Sequence, residues 1–346
     1  MLNFNWFKRL FKSYDIAEDT QHVPYTPMEY PSIYGTKIWA VGGGKGGVGK
    51  TLLATNLGIL LSKNQKRVLL IDADLGAANL HTFLGVDGGR TALSSFLKEE
   101  VPDLQSLAVK TPIPNLDLIS GAKDSLDVAD IKPDKVARLK DALRKVDYDY
   151  AILDIGPGTS STLLDMFLIS NEGIILSTPE PTTIENNYRF LKCLFLRKIK
   201  TLADAQDDGK LKDLLQKVFS EKWSQRVKTV SDILNQLSTL DPEQGRVLRE
   251  HVSNTNISMV MNQMKKNEDK EIGSSIKRAC SDYFGIDIGY LGSVSYEECV
   301  SDSIRNRKPL TIHYSSSGAA RGIESCLNNL LNKNKGSNGF STINQF

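Results

Sequence analysis

A glycine-rich stretch near the start of the chain constrains the fold more than any other segment. Residues Gly44 to Thr51 fit the pattern G-x-x-x-x-G-K-T, with an apolar run, Ile38 to Val41, before them and an apolar-periodic segment, Leu52 to Leu61, after them. A strand, a glycine loop and a helix in this order predict a phosphate-binding loop. Backbone N–H groups of the glycine loop and the positive end of the helix dipole would bind the phosphates. We call residues Gly44 to Thr51 the P-loop.

Two side chains of the P-loop have the chemistry of nucleotide ligands. Lys50 is expected to reach the β- and γ-phosphates, and the Thr51 hydroxyl is expected to ligate Mg²⁺. A glycine-rich turn without a ligand is the alternative, and the flanking strand and helix disfavour it. The predicted nucleotide-binding residues are Gly44, Lys45, Gly46, Gly47, Val48, Gly49, Lys50, Thr51 and Leu52.

Two later strands end in aspartates. The apolar run Arg67 to Ile71 is followed by Asp72 and Asp74, and the run from Tyr150 leads to Asp154 and a glycine-rich turn. Ligands of parallel sheets bind at the carboxyl ends of the strands, which favours a role for these carboxylates in phosphate chemistry. The alternative is that Asp72 and Asp74 cap the next helix and that Asp154 is an ordinary residue at the end of a strand.

An additional lysine relates the P-loop to a known family. The segment Lys45 to Thr51 resembles the deviant Walker A motif of the MinD/ParA ATPases, Asp72 to Leu80 resembles their second signature, and Asp154 to Gly158 resembles their switch II. The resemblance implies an α/β fold of the SIMIBI type, a mostly parallel twisted sheet with helices on both faces. It also implies ATP and Mg²⁺ as ligands, slow ATP hydrolysis, and a homodimer in the ATP state.

The resemblance assigns a role to each charged residue. It implies three catalytic residues, Lys45, Lys50 and Asp74. Lys45 crosses the dimer interface to the other subunit's phosphates, much as an arginine finger does, and Asp74 orients the attacking water. Asp154, with Thr51, holds Mg²⁺, and Asp72 supports the metal and the switch geometry.

An asparagine at the end of a later strand completes the implied site. In the family such a residue reads the adenine edge, which makes Asn262 the base-binding candidate because an amide offers both a donor and an acceptor. An ordinary asparagine at the start of a loop is the alternative. The chain departs from the family at Val294-Ser295, where Ile-Pro is common, so nucleotide contacts from this turn are not carried over.

One tract points to a branch of the family. Thr178 to Lys192 reads TPEPTTIENNYRFLK and is most similar to the FlhG/FleN branch. This similarity implies a spatial or numerical regulator, acting on flagellum placement or number with a protein partner or activator. Three alternatives are a positioning factor for division or chemoreceptor arrays, a binding module whose ATPase has decayed, and a ParA-type partitioning ATPase. The last would bind DNA nonspecifically through Lys192, Arg197, Lys198 and Lys200.

The first fourteen residues predict an amphipathic helix. From Leu2 to Tyr14, aromatic and apolar side chains fall on one side of a helical wheel, and Lys8, Arg9 and Lys12 fall on the other. This pattern is typical of a helix lying in a membrane interface, and it also fits a partner's groove or the chain's own domain. Residues 15–35 contain three prolines among polar residues and predict a linker.

The remaining chain divides into one domain and a tail. Residues 36–331 are predicted to form the ATPase domain, with a helical insertion at about 200–253 that either packs on the domain's flank or binds a partner. Residues 332–346 are polar and predict a disordered tail.

Bulk composition sets outer limits on function. The formal net charge is +2, which argues against a strongly basic nucleic-acid binder but not against a local basic patch. The four cysteines are far apart and predict isolated reduced thiols. With no apolar run of bilayer-spanning length in the sequence, we expect a cytoplasmic protein, peripheral on the inner face of the cell membrane where the N-terminal helix holds it.

Overall fold

A computed structural model describes residues 35–87, 92–121, 131–205, 209–219, 229–265 and 272–338. The predicted N-terminal helix, the linker up to residue 34 and the last eight residues, 339–346, lie outside the described residues. Within the described part, no helix is both long enough and apolar enough to cross a bilayer.

An eight-stranded sheet forms the centre of the molecule. Its order is β3-β4-β2-β5-β1-β6-β7-β8, and every neighbouring pair is parallel except β3 and β4. This mostly parallel sheet confirms the predicted fold class. The strands are β1 Lys37–Gly42, β2 Val68–Ala73, β3 Val109–Lys110, β4 Leu116–Ile119, β5 Tyr150–Ile155, β6 Glu172–Ser177, β7 Ile257–Met264 and β8 Gly289–Ser295.

Helices connect the strands and cover both faces of the sheet. They are α1 Lys50–Lys63, α2 Leu80–Leu84, α3 Leu93–Leu97, α4 Pro133–Leu143, α5 Ser161–Leu168, α6 Pro181–Ala205, α7 Lys210–Phe219, α8 Val230–Leu240, α9 Pro242–Ser253, α10 Ile272–Phe284, α11 Glu298–Arg305, α12 Leu310–His313 and α13 Gly318–Asn338, with a 3₁₀ turn at Gln105–Leu107.

Alternation along the central strand shows how both faces are buried. Ile38 and Ala40 of β1 belong to one apolar cluster, which includes residues of α4, α5 and α6. Trp39 and Val41 belong to the opposite cluster, which includes residues of α1 and α13. Because successive strand residues point to opposite faces, a strand covered on both sides must be apolar at every position. The continuous apolar runs in the sequence have this cause.

The helical insertion packs on the domain. The apolar faces of α7, α8 and α9 are buried and join the same cluster as α6 and α10. Thr229 caps α8 through a capping box with Asp232, and Asp241 caps α9 through the N–H groups of Glu243 and Gln244. Their apolar faces are therefore used internally. They include Leu211, Val218, Val230, Ile233, Leu234, Leu237, Leu248 and Val252.

The last helix is longer than the sequence predicts. The predicted boundary at Leu331 and the predicted disorder from residue 332 are wrong for residues 332–338, because α13 continues to Asn338. Lys333 Nζ lies 2.8 Å from Oε1 of Glu172, a carboxylate only 2% exposed, and 2.9 Å from Ser258 Oγ. This ion pair fixes α13 to the sheet at a point that follows the last apolar residues of the helix.

Candidate nucleotide-binding site

The carboxyl ends of three adjacent strands bring the predicted motifs together. The register pairs Val41 of β1 with Asp154 of β5, and Asp154 with Asp72 of β2. The P-loop therefore leaves the sheet beside both aspartates, at the edge where parallel sheets bind their ligands.

Positive φ angles shape the P-loop. Gly47 has a φ of +75° and Gly49 a φ of +98°, values that glycine adopts at low energy. Gly49 precedes α1 without a side chain to cap the helix, so no capping group occupies the first N–H groups of α1. An anion at this position would complete their hydrogen bonds.

The two lysines of the P-loop have different environments. Lys50 is 7% exposed, and its Nζ donates to the Lys45 carbonyl at 3.1 Å. Burial lowers the pKa of Lys50, while the charges of Asp154 and Asp74 oppose that shift. Lys45 is partly exposed, and its Nζ donates to Thr182 Oγ1 at 2.9 Å, at the start of α6. Lys50 thus lies inside the P-loop and Lys45 on its outer side.

Asp154 is a buried carboxylate with an incomplete set of partners. It is 2% exposed, it is hydrogen-bonded to the Thr51 side chain, and its Oδ1 has no hydrogen-bond partner. Burial raises the pKa of Asp154 to about 7, mainly because the charged form is desolvated. In the protein without ligand, an ionised Asp154 therefore has too few hydrogen bonds to offset the desolvation of its charge.

Asp72 supports the neighbouring turn. Its Oδ1 accepts from the Asp74 N–H at 3.2 Å, and its Oδ2 accepts from the Leu80 N–H at 2.9 Å. Burial raises the pKa of Asp72 to about 6, although these backbone hydrogen bonds favour the charged form. Asp72 thus fixes the segment that carries Asp74, and its contribution to a metal site stays a prediction.

Asp74 lies against the turn after β5. A Cβ atom at Gly156 would lie 3.0 Å from Asp74 Cγ, closer than an ordinary van der Waals contact, so a side chain at this position would push the carboxylate aside. The Asp74 Oδ1 accepts from the Ala77 N–H at 3.2 Å. The structure therefore places the predicted catalytic carboxylate and the predicted switch in direct contact.

Asn262 lies beside the P-loop, and its amide group is hydrogen-bonded to the P-loop backbone. Its Nδ2 donates to the Val48 carbonyl at 2.8 Å, and its contact with adenine stays a prediction. Gln263, which sequence reasoning missed, donates through Nε2 to the Gly47 carbonyl at 3.3 Å. Its position beside Asn262 at the end of β7 was the available signal.

A second missed residue fixes the start of the P-loop. Asn187 of α6 accepts from the Gly44 N–H at 2.9 Å through Oδ1 and donates to the Leu176 carbonyl at 3.0 Å through Nδ2. Gly44 itself lies so close to α6 that a Cβ atom there would be 2.1 Å from the Asn186 carbonyl oxygen. The available signal was an amide between Ile184 and Leu191 on the apolar stripe of this helix.

The donor set suits a metal that is shared with a nucleotide. Within the described ranges, no group of three or more His, Cys, Asp or Glu side chains could hold a metal by itself. Mg²⁺ in nucleotide sites takes only one or two protein oxygen ligands and completes its shell with phosphates and water. The unpartnered Asp154 Oδ1 beside Thr51 fits that requirement.

Two of the four cations in the predicted DNA-binding cluster, Arg197 and Lys198, are used inside the domain. Arg197 forms a two-point ion pair with Asp165, at 2.7 and 2.6 Å, and Lys198 is only 6% exposed and donates to Thr255. Burial lowers the pKa of Lys198 to about 8. These two cations therefore add little to an exposed basic patch.

Comparisons with known proteins identify the family. The profile of a family described as an AAA domain matches residues 36–206. The septum site-determining protein MinD of Synechocystis sp. is 31% identical over 58% of this chain and 73% of that protein. The virulence plasmid ParA family protein pGP5-D of Chlamydia psittaci is 34% identical over 59% of this chain and 75% of that protein. The antiactivator FleN of Pseudomonas aeruginosa is 29% identical over 47% of this chain and 58% of that protein.

A solved structure shares the fold. The septum site-determining protein MinD of Pyrococcus horikoshii, complexed with Mg-ADP, has a TM-score of 0.58 at 20% identity, over 85% of this chain and 96% of that one. The sheet order, the P-loop with its additional lysine and the two relatives above 30% identity lead to one conclusion. This chain belongs to the MinD/ParA family of P-loop ATPases.

Proposed function

We propose that this chain is an ATP-dependent switch that dimerises with ATP bound, separates after hydrolysis, and so regulates the position or number of a cellular structure. The placement of Lys45 carries the proposal. Its ammonium group lies on the outer side of the P-loop, where Thr182 holds it. The P-loop interior already contains Lys50, so phosphate binding within one subunit does not require Lys45. Lys45 is suited to the phosphates of a second subunit.

In this mechanism the chain binds ATP through backbone and side-chain donors. The N–H groups at the start of α1 hold the phosphates, and Lys50 exchanges the Lys45 carbonyl for a phosphate oxygen. Asp74 holds the attacking water in line with the γ-phosphate. Because the carboxylate of Asp74 lies against Gly156, a change in the switch turn alters the position of that water.

Thr51 and Asp154 are the residues that would hold Mg²⁺, with Asp72 fixing the adjacent turn. The ion, when bound, neutralises charge on the β- and γ-phosphate oxygens. Hydrolysis is slow in a single subunit, because the cation of Lys45 acts only across a dimer. A protein partner that stabilises the dimer stimulates hydrolysis.

Molar mass in solution tests the switch. Light scattering with ADP and with ATP is carried out on Asp74→Ala, which blocks turnover, and on the same variant with Lys45→Ala added. Lys66→Ala, at an exposed lysine after α1, is the matched control. We expect a dimer only with ATP, lost with Lys45→Ala and kept with Lys66→Ala. A monomer under every condition would refute the dimerising mechanism.

The regulated structure is proposed to be the flagellum. The Thr178 to Lys192 tract and the similarity to an antiactivator, FleN, support this choice over division or chemoreceptor positioning. Flagella are counted and located in cells that lack the protein and in cells with Lys45→Ala. A changed number or placement in both strains is expected. Normal flagella with misplaced division sites or receptor arrays would favour the alternatives.

Attachment to a membrane through Leu2 to Tyr14 is the remaining part of the proposal. One short amphipathic helix binds lipid weakly, and a dimer presents two copies. Co-sedimentation with anionic liposomes and ATP, with and without residues 1–14, tests it, and duplex DNA in place of liposomes tests the partitioning alternative. Lipid binding that survives the deletion would contradict the role of this helix.

A further inference from the structure

Gly121 is a buried glycine that the proposed mechanism does not use. It follows β4 by two residues, and β4 is a neighbour of β2 in the sheet. A Cβ atom at Gly121 would lie 3.0 Å from the Asp72 carbonyl oxygen and 3.3 Å from the Asp74 carbonyl oxygen. The same atom would lie 2.9 Å from the Ala78 Cβ. Gly121 therefore packs against the main chain of the segment that carries Asp74.

Hydrogen bonds within that segment set its shape. The Asp74 N–H donates to Asp72 Oδ1 at 3.2 Å, and the Asp74 carbonyl accepts from the Ala77 N–H at 3.3 Å. Both bonds join residues of one turn, so they do not by themselves determine where the turn lies relative to the neighbouring strands. Packing against those strands must contribute to its position.

The ends of the two strands beside β2 supply this packing. Gly156 follows β5 and lies against the Asp74 carboxylate, whereas Gly121 lies against the Asp74 main chain from the β4 side. The carbonyls of Gly121 and Ser120 accept from the first two N–H groups of α3, at 3.3 and 2.8 Å. Asp74 is thus bounded by a glycine on each side, and the glycine on the β4 side is anchored to a helix.

We propose that Gly121 is a positioning residue for ATP hydrolysis, because its lack of a side chain lets the Asp74 main chain lie where the carboxylate holds the attacking water. The proposal rests on the proposed function, which gives Asp74 that task. Gly121 does not have a positive φ, so the space around it, and not its backbone conformation, requires glycine.

The contacts of Gly121 determine what a side chain there would do. They are two carbonyl oxygens and a Cβ atom, which cannot rotate away as the end of a long side chain can. A methyl group at Gly121 must therefore displace the backbone by about 0.5 Å, which is the precision that catalytic groups require. The displaced backbone is that of Asp74, and no P-loop residue is among these contacts.

Turnover and affinity, measured together, test this assignment. The kcat of ATP hydrolysis and the calorimetric affinity for Mg·ADP are compared between the unmodified chain and Gly121→Ala. We expect kcat to fall about 5- to 20-fold, since a misplacement of about 1 Å can cost about 100-fold. Affinity for Mg·ADP should stay unchanged, because Asp74 acts on the attacking water. Gly245→Ala, which would crowd Ser238 within the helical insertion, is the control that should lower stability and keep kcat.

A compensating substitution separates positioning from stability. Ala78→Gly removes the closest atom, so adding it to Gly121→Ala should raise kcat at least about threefold above that of Gly121→Ala alone. The contacts with the carbonyl oxygens of Asp72 and Asp74 persist, so kcat should stay below normal. If Gly121→Ala does not fold, the double variant carries the test, and a normal kcat in it would overturn the proposal.

The remaining outcomes have distinct meanings. A normal kcat in Gly121→Ala, an equal loss of kcat and affinity, or no recovery with Ala78→Gly would each overturn the positioning role while leaving the nucleotide site intact. If the unmodified chain neither binds Mg·ADP nor hydrolyses ATP, the proposed function itself fails. Thermal melting of each variant without ligand separates loss of turnover from loss of folding.

Discussion

Removing the charge of Asp154 should stabilise the ligand-free protein. Burial raises the pKa of this carboxyl from 3.8 to about 7, so the folded chain holds a proton that the unfolded chain has lost between these pH values. A group whose pKa is higher in the folded chain contributes its full stabilisation at any pH below its unfolded-state pKa. This stabilisation is lost as the pH rises through its folded-state pKa. The loss is about 1.4 kcal/mol per pH unit, or about 4 kcal/mol in total above pH ~7.

Asp154→Asn keeps the shape of the side chain and removes this loss. Its free energy of unfolding should exceed that of the unmodified chain by up to about 4 kcal/mol at pH ~8 and up to about 2 kcal/mol at pH ~5.5, less the attraction that the buried Lys50 loses when this charge is removed. Urea unfolding at the two pH values, without nucleotide or Mg²⁺, measures both differences. Asp72 titrates in both proteins, and because its charge helps to raise the pKa of Asp154, both differences include this interaction.

A second buried aspartate provides the control. Asp117 of β4 accepts from Lys110 Nζ at 2.7 Å and from the Tyr148 hydroxyl at 2.6 Å, so its charge has partners. Asp117→Asn should destabilise the protein by about 1–3 kcal/mol. An Asp154→Asn protein that is no more stable than the unmodified chain at pH ~8 would refute the reasoning that desolvation of this charge outweighs its interactions with Thr51 and Lys50.

Two more substitutions test the contacts of the site. Gly156→Ala places a Cβ atom 3.0 Å from Asp74 Cγ, so steady-state ATP hydrolysis should fall at least about tenfold while nucleotide affinity, measured by calorimetry, is kept. Hydrolysis at the normal rate would show that Asp74 can move without consequence. Asn187→Ala removes the partners of the Gly44 N–H and the Leu176 carbonyl, and it should lower stability by about 1–3 kcal/mol and weaken nucleotide binding. Unchanged urea unfolding and affinity would contradict that role.

The parts of the site that the sequence predicts are local in the chain. The P-loop is one continuous segment, and Asp72 and Asp154 follow apolar runs whose ends must meet at one edge of a parallel sheet. Asn187 was missed because its contact with Gly44 spans 143 positions, and no local pattern encodes such a pairing.

The partners of charged side chains and the end of the last helix could also not be predicted from the sequence. Arg197 and Lys198 have the spacing of a basic patch, yet their partners Asp165 and Thr255 come from other elements. The end of α13 depends in the same way on Lys333 meeting a buried carboxylate, since its polar composition predicts disorder. Composition describes a segment alone, whereas these outcomes are decided by its neighbours.

The same reasoning gives α6 a role that no single motif suggests. Its first turns hold the P-loop through Thr182 and Asn187, and farther along the helix Lys198 contacts Thr255 beside the helical insertion. Coupling between distant sites requires an element with two arrangements. In the proposed dimer, the ammonium group of Lys45 exchanges Thr182 for a phosphate of the second subunit, which gives the start of α6 two sets of contacts. Under the proposed mechanism, α6 therefore connects the P-loop to the segment beside the insertion through side-chain contacts at both ends.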